Sequence, residues 1–259
     1  MELSKSNIKG DLKAKLKLNF LVETKTTAEM VNGFLNARLK NVEIPKLPFN
    51  LNLLKGDLNL IADNKSMKIM GFGDIGGAKT DIVWEESFLD NSAYARKYSI
   101  ISKLVDKIWV KNLGLNFMPF TNEFITGTVG LRLNIMEKRS GHSELTAYFD
   151  LKDADMNLPR FNWRKSQKVQ ANATLFATFE NNRFTSIPSI LVKGGGLDLK
   201  GNLSFKNDGG IKKVSINRLV FGGTNIRAIM APKPINLKGG WDIDISGKSI
   251  DLIEWLATD

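Results

Sequence analysis

Residues Gly194 to Phe205 read GGGLDLKGNLSF, four glycines in eight residues and then a run that alternates apolar with polar. Two readings compete for it. A glycine-rich loop that cradles phosphate would make this a nucleotide-binding chain, and that loop requires a Lys followed by Ser or Thr and then a helix. No such pair follows these glycines, and LDLKGNLSF continues at once with a period of two. The stretch is a turn that opens a β-strand.

The phrase inside it recurs. IKGDLKA begins at Ile8, LKGDLNL at Leu54, ITGTVGL at Ile125, LKGNLSF at Leu199 and LKGGWDI at Leu237. The glycines at 10, 56, 127, 201 and 239 keep no fixed interval, which excludes the regular repeats of solenoids and propellers. Around each of them apolar residues return at every second position. The first run puts Leu12, Ala14, Leu16, Leu18, Phe20 and Val22 on one face and Lys13, Lys15, Lys17 and Asn19 on the other. Comparable faces are carried by Val129 to Ile135, Leu145 to Leu151, Ala171 to Phe179 and Trp241 to Ile245. A glycine inside a strand marks a bulge, a bend or a close approach. The expected fold is therefore mainly β: an elongated, curved antiparallel sheet shaped as a groove, with one or two short helices. Ser102 to Trp109 supplies the first helix, because Ile100, Ile101, Leu104, Val105, Ile108 and Trp109 follow a spacing of three to four. Ala28 to Leu39 is the second candidate, with strand from Asn36 onward as its alternative.

The chain has 259 residues, 42% of them hydrophobic, and a net charge of +10, which favours an anionic partner without identifying it. It has no cysteine, so disulfide frameworks, thiolate metal sites and cysteine nucleophiles are excluded. The first twenty residues contain no continuous apolar stretch of the kind an export signal needs, and no anchor is expected within this sequence.

Several local motifs suggest chemistry and fail on their surroundings. GFGDIG, Gly71 to Gly76, matches the dinucleotide fingerprint, but GAKTDIVWEE follows in place of a helix. GDIGGAKT, Gly73 to Thr80, has Ala78 where a phosphate loop needs its second glycine. DADMN, Asp153 to Asn157, starts like a calcium loop but has Leu158 at the obligatory glycine and Arg164 at the bidentate glutamate. His142 is the single histidine, in a polar turn, so this chain alone cannot build a histidine triad or a multi-histidine metal site. Glu85 and Glu86 point to opposite faces of a strand, whereas Asp242 and Asp244 share one and are read as surface charge. No catalytic residue, cofactor or metal is expected. Nucleic acid is not an expected partner either, because Phe20, Phe149, Phe179 and Phe205 lie in phase with the aliphatic face and not with the lysines.

The ordered set of motifs resembles a known family. It runs from LKGDLNL through a glycine turn to IVWEESF (Ile82 to Phe88), NLGLN (Asn112 to Asn116) and ITGTVGLRL. YFDLKDADMNLPRFNW (Tyr148 to Trp163), the GGGLDLKGNLSF strand and LKGGWDIDISGKSID (Leu237 to Asp251) complete it. Together these are similar to the central region of AsmA-like, YhdP-type envelope proteins of Gram-negative bacteria, which are related to TamB. The resemblance spans nearly the whole chain. It implies one extended β-groove segment over residues 1–259, a piece of a longer protein, since family members carry an N-terminal anchor and are several times longer. It also implies a periplasmic, inner-membrane-associated location, reached through that anchor or through other envelope proteins. The implied function is phospholipid transfer between inner and outer membrane through an apolar groove, which maintains outer-membrane lipid homeostasis. Phospholipid acyl chains are the expected partners, and the expected lining residues are Leu16, Leu18, Phe20, Leu131, Leu133, Phe149, Leu175, Phe179, Leu203, Phe205 and Ile243. The alternative is a non-enzymatic envelope assembly or scaffold module that binds other proteins by strand addition at its sheet edges.

Overall fold

Strands that alternate apolar and polar residues and are joined by two-residue turns pair antiparallel with their chain neighbours and separate a greasy face from a wet one. The computed structural model has this arrangement. It describes residues 8–21, 27, 30–47, 51–105, 124–158, 163–181, 183–233 and 240–251. The strands of the first half are β1 (Lys9–Asn19), β2 (Asn32–Leu47), β3 (Leu51–Asp63), β4 (Ser66–Ile75), β5 (Ala78–Ser87), β6 (Arg96–Val105), β7 (Ile125–Glu137) and β8 (His142–Asp150). A short hairpin follows, β9 (Ala154–Leu158) and β10 (Trp163–Lys165). The path resumes with β11 (Ala171–Glu180), β12 (Arg183–Gly194), β13 (Leu197–Phe205), β14 (Ile211–Phe221), β15 (Thr224–Pro232) and β16 (Trp241–Ser249). All 16 strands form one sheet, ordered β1 to β8 and then β11 to β16, with β9 attached to β7 and β10 to β9. The ends of this path do not meet, so the curved sheet stays open.

The two glycine motifs that mimic nucleotide loops are hairpin turns. Gly76 and Gly77 join β4 to β5, and Gly195 and Gly196 join β12 to β13, each pair with φ positive at both positions, as the tight turn of a twisted hairpin requires. The glycines of the recurring phrase lie where the ladder is interrupted. Register shifts occur at Gly10 in the β1–β2 pair, beside Gly56 in β3–β4 and at Gly201 in β13–β14. Gly239 is outside the described residues. Gly127 marks a fork, since β7 pairs with β9 as far as Gly127 and with β8 from Gly130 onward. Each such irregularity bends its strand and tightens the local twist, which curves the sheet.

The expected helices are corrected. Among the described residues there is no α-helix. The stretch around Ser102 is strand β6 as far as it is described, while Ile108 and Trp109 lie outside the described residues, as does NLGLN. The helical spacing arose because Ser102 interrupts the alternation on the apolar side. Its hydroxyl accepts from Thr80 Oγ1 at 3.1 Å and donates to the Lys79 carbonyl at 3.2 Å, so it is buried without penalty. Ile101 faces the other way and is exposed. From Asn32 the second candidate is strand β2, and Ala28 lies outside the described residues.

Gly127 and Gly196 separate backbone strain from crowding. Both have positive φ, +87° and +81°, where an L side chain costs about 1–2 kcal/mol. A Cβ at Gly196 would meet nothing within 4 Å, whereas one at Gly127 would lie 2.5 Å from the Asp153 carbonyl oxygen and 2.7 Å from Gln167 Nε2. Gly196→Ala is expected to lose only the backbone term, and Gly127→Ala to lose clearly more. Urea midpoints at unchanged slope check this.

Candidate functional site

Register decides which side chains share a face, because directly paired residues point the same way. One row of paired residues crosses every strand of the path: Leu12, Leu39, Leu58, Gly71, Ile82, Ile100 and Leu133, then Ala147, Leu175, Ile190, Gly201, Ile216, Ala228 and Ile245. It contains no polar side chain. At about 4.8 Å between strands it is roughly 60 Å long, about twice the hydrocarbon thickness of a bilayer. A flanking row joins Leu131, Phe149, Ala173, Val192, Leu199, Leu219 and Ile226. Leu203, Val214, Met230 and Ile243 form a further one.

The expected lining residues fall on this face. Leu131, Leu133, Phe149, Leu175, Phe179, Leu203 and Phe205 are half-buried there, with Phe179 and Phe205 on either side of Phe184 at ring distances of 4.2 and 5.8 Å. Leu16, Leu18 and Ile243 share the face but sit on the two edge strands, 59%, 50% and 55% exposed. Phe20 lies one residue beyond the end of β1 and is also exposed. Large side chains along the middle of the face, among them Ile69, Ile82, Ile100, Ile135, Leu145 and Ile190, are half-buried by their in-sheet neighbours, while Leu58 is buried with Val42 and Leu53 in a second, smaller cluster.

One margin of the face is capped. The β9–β10 hairpin folds over it, and Ala154, Met156 and Trp163 join Ala78, Leu104, Ile125, Val129, Leu151, Ala171 and Phe221 in the main buried cluster. Trp163 Nε1 donates to the Gly195 carbonyl at 2.9 Å. Lys165 is 1% exposed, and its ammonium donates to the carbonyls of Ala154 at 2.6 Å and of Lys152 and Ser166 at 3.2 Å. Burial pushes the Lys165 ammonium below the usual lysine range, against the pull of Asp155, Asp153 and Asp150. The segment that begins like a calcium loop thus contributes the Ala154 carbonyl to a lysine. The hydrogen-bonding role of the GGG turn, as a dock for Trp163, has no signal in its own sequence.

The other margin is polar. Beyond Trp84 and Tyr98, whose rings stack at 5.8 Å, the same face carries Glu86, Arg96 and Glu137 in one row. Arg96 reaches Glu86 and Glu137 at 3.4 Å each. Burial, with Glu137 adding to it, pushes the Tyr98 hydroxyl up to about 12. Trp84 Nε1 is buried with no hydrogen-bond partner, an unusual state for an indole N–H. These five residues were missed as site residues, although IVWEESF contains two of them in alternation with an apolar neighbour.

The opposite face is wet and laced with ion pairs: Lys68 with Glu85 at 2.7 Å, Arg38 with Asp57 at 3.0 Å and Arg218 with Asp198 at 3.1 Å. Glu85 and Glu86 thus serve opposite faces. His142 opens β8 half-buried, 3.4 Å from Glu144. No family model, no curated protein and no solved structure matches the chain.

Two measurements probe the margins. Lys165→Met removes the ammonium from the Ala154 carbonyl, while the Lys152 and Ser166 carbonyls keep the backbone donors of Lys168 and Val169, and is expected to cost about 1–3 kcal/mol in denaturant unfolding. Between the ordinary tyrosine value of 10.0 and about 12 the unfolded chain releases a proton that folded Tyr98 keeps. Stability therefore falls as pH rises through that window. Tyr98→Phe should flatten this slope and remove the highest-pH component of the tyrosinate absorbance titration.

Proposed function

We propose that the open apolar face is a trough for phospholipid acyl chains. The observation that carries this reading is the row from Leu12 to Ile245, apolar in every strand, in which Leu58, Ala147 and Ala228 are the buried side chains and the others remain partly or fully exposed. Burying one CH₂ group is worth about 0.8 kcal/mol, so a sixteen-carbon chain gains on the order of 10 kcal/mol, enough to offset departure from a bilayer. Aliphatic walls make no directional contacts, which keeps barriers to sliding low. The Glu86, Arg96 and Glu137 row leaves a polar margin for head groups.

In this reading the chain is a segment of an AsmA-like, YhdP-type protein. It works in the periplasm in association with the inner membrane, where it passes phospholipid toward the outer membrane as a passive conduit. The motif order from LKGDLNL to LKGGWDIDISGKSID supports that placement, and the open curved sheet is compatible with it.

Mass spectrometry of organic extracts of the purified protein should find phospholipid. Leu133→Glu with Leu175→Glu puts two charges on the row and should reduce the extracted lipid about tenfold, while Thr146→Lys on the opposite face leaves it unchanged. Absence of lipid from the wild-type extract, together with no uptake of fluorescent phosphatidylcholine from vesicles, would overturn the reading.

A further inference from the structure

The two edges of the sheet carry complementary patterns. Every residue of β1 and of β16 is exposed, and among the described residues neither strand has a second partner. On the wet side β1 presents Asp11, Lys13, Lys15 and Lys17, and β16 presents Asp242, Asp244, Ser246 and Lys248. On the apolar side they present Leu12, Ala14, Leu16 and Leu18, and Trp241, Ile243, Ile245 and Gly247.

We propose that copies of this chain join head to tail, with β16 of one copy pairing antiparallel with β1 of the next, so that the apolar row runs on from copy to copy. Direction permits it. The path alternates strand by strand, so β16 runs opposite to β1, and a second copy in the same orientation continues the antiparallel order.

Charge narrows the register. With Ile243 opposite Leu16, Asp242 faces Lys17, Asp244 faces Lys15 and Ser246 faces Lys13, and Lys248, in the bulge of the β15–β16 pair, falls nearest Asp11. On the other side Trp241 meets Leu18 and Ile245 meets Ala14. A slip of two residues in one direction keeps only Asp244 against Lys17 and sets Lys248 against Lys13; in the other it keeps Asp242 against Lys15 and Asp244 against Lys13 and sets Lys248 against Lys9. A slip of one turns the apolar residues to the wet side. Self-pairing of β1 opposes lysines, whereas β16 against β16 can set Asp242 on Lys248 and Asp244 on Ser246, a two-fold contact that Lys15→Asp with Lys17→Asp would leave intact. The proposed contact is heterologous, of the kind that builds rings or filaments. Two of the charged groups have partners within the chain, Asp242 with Lys233 at 3.3 Å and Asp11 with Asn41 Nδ2 at 2.9 Å, and Asp242 keeps a 69% exposed side chain.

The proposal stands apart from the trough reading, because the ion pairs lie on the face opposite the trough and because the flanking strands of a longer protein would compete for the same two edges. A chain that carries lipid but stays monomeric overturns this inference and leaves the trough reading intact. The test is sedimentation velocity of the full chain over a concentration series at low salt, without added lipid. Wild-type protein should show a sedimentation coefficient that rises with concentration. Asp242→Lys with Asp244→Lys, and separately Lys15→Asp with Lys17→Asp, should each weaken association on the order of tenfold or more. Far-UV circular dichroism should stay unchanged, since all four side chains are exposed. Mixing the two variants should restore association, because each then offers the other an opposite edge, and the chain with all four substitutions should associate by itself. A wild type monomeric at every concentration, charge-reversed variants that associate as well as wild type, or a mixture of folded variants that stays monomeric would each overturn the proposal.

Discussion

The structure depends on phase. A β-strand has a side-chain period of two, and a sheet has an apolar face only if every pairing keeps that period aligned with its neighbour's. Here the phase holds across the whole path despite repeated register shifts. Interruptions in β2 and β3 move the pairing past Asn41 and Lys55, both at φ +52°, and deliver Val42 opposite Gly56 and Ile44 opposite Leu53 on the same buried side. A bulge takes up a residue in a left-handed conformation so that the apolar set does not cross to the wet face. Curvature and continuity of the apolar row thus come from the same positions.

How far this was legible follows from the size of the signal in each strand. The runs Leu12 to Leu18, Leu131 to Ile135 and Ala171 to Phe179 alternate cleanly, so both their strand character and their shared face could be read from sequence. β6 could not, because Ser102 takes an apolar-face position and Ile101 an outward one, which together imitate a helical spacing. Its neighbour β5 has the same difficulty in Glu86. A glutamate in phase with Ile82 and Trp84 looks like an error in the pattern until Arg96, from the adjacent strand, supplies its partner at 3.4 Å. Residues whose role depends on a cross-strand neighbour have no local signature. The polar margin was illegible for that reason, while the aliphatic middle was not.

The capped margin reflects the same logic from the other side. A buried ammonium is tolerated only where acceptors converge on it, and Lys165 finds three carbonyls in and beside the turn that leads into β9. The cap also explains Gly195, where a side chain would occupy the space taken by the stem of Lys165, whose Cγ lies 2.7 Å from where its Cβ would stand. Sealing one margin by protein and leaving the other to Trp84, Tyr98 and an ion-paired row gives the trough two chemically different sides.

An open sheet has a further energetic consequence. Each strand is held mainly by the two beside it, so stability is close to a sum of local strand–strand terms, as in solenoids. The two edge strands have only one neighbour each, and their apolar residues remain among the most exposed in the molecule, Leu12 at 67% and Ile243 at 55%. Edge strands in soluble proteins are commonly guarded by charge to stop indiscriminate pairing. β1 and β16 carry that guard with opposite signs, basic on one and acidic on the other. The basic edge therefore repels its own kind and attracts the acidic one, which makes a general hazard of open sheets more selective.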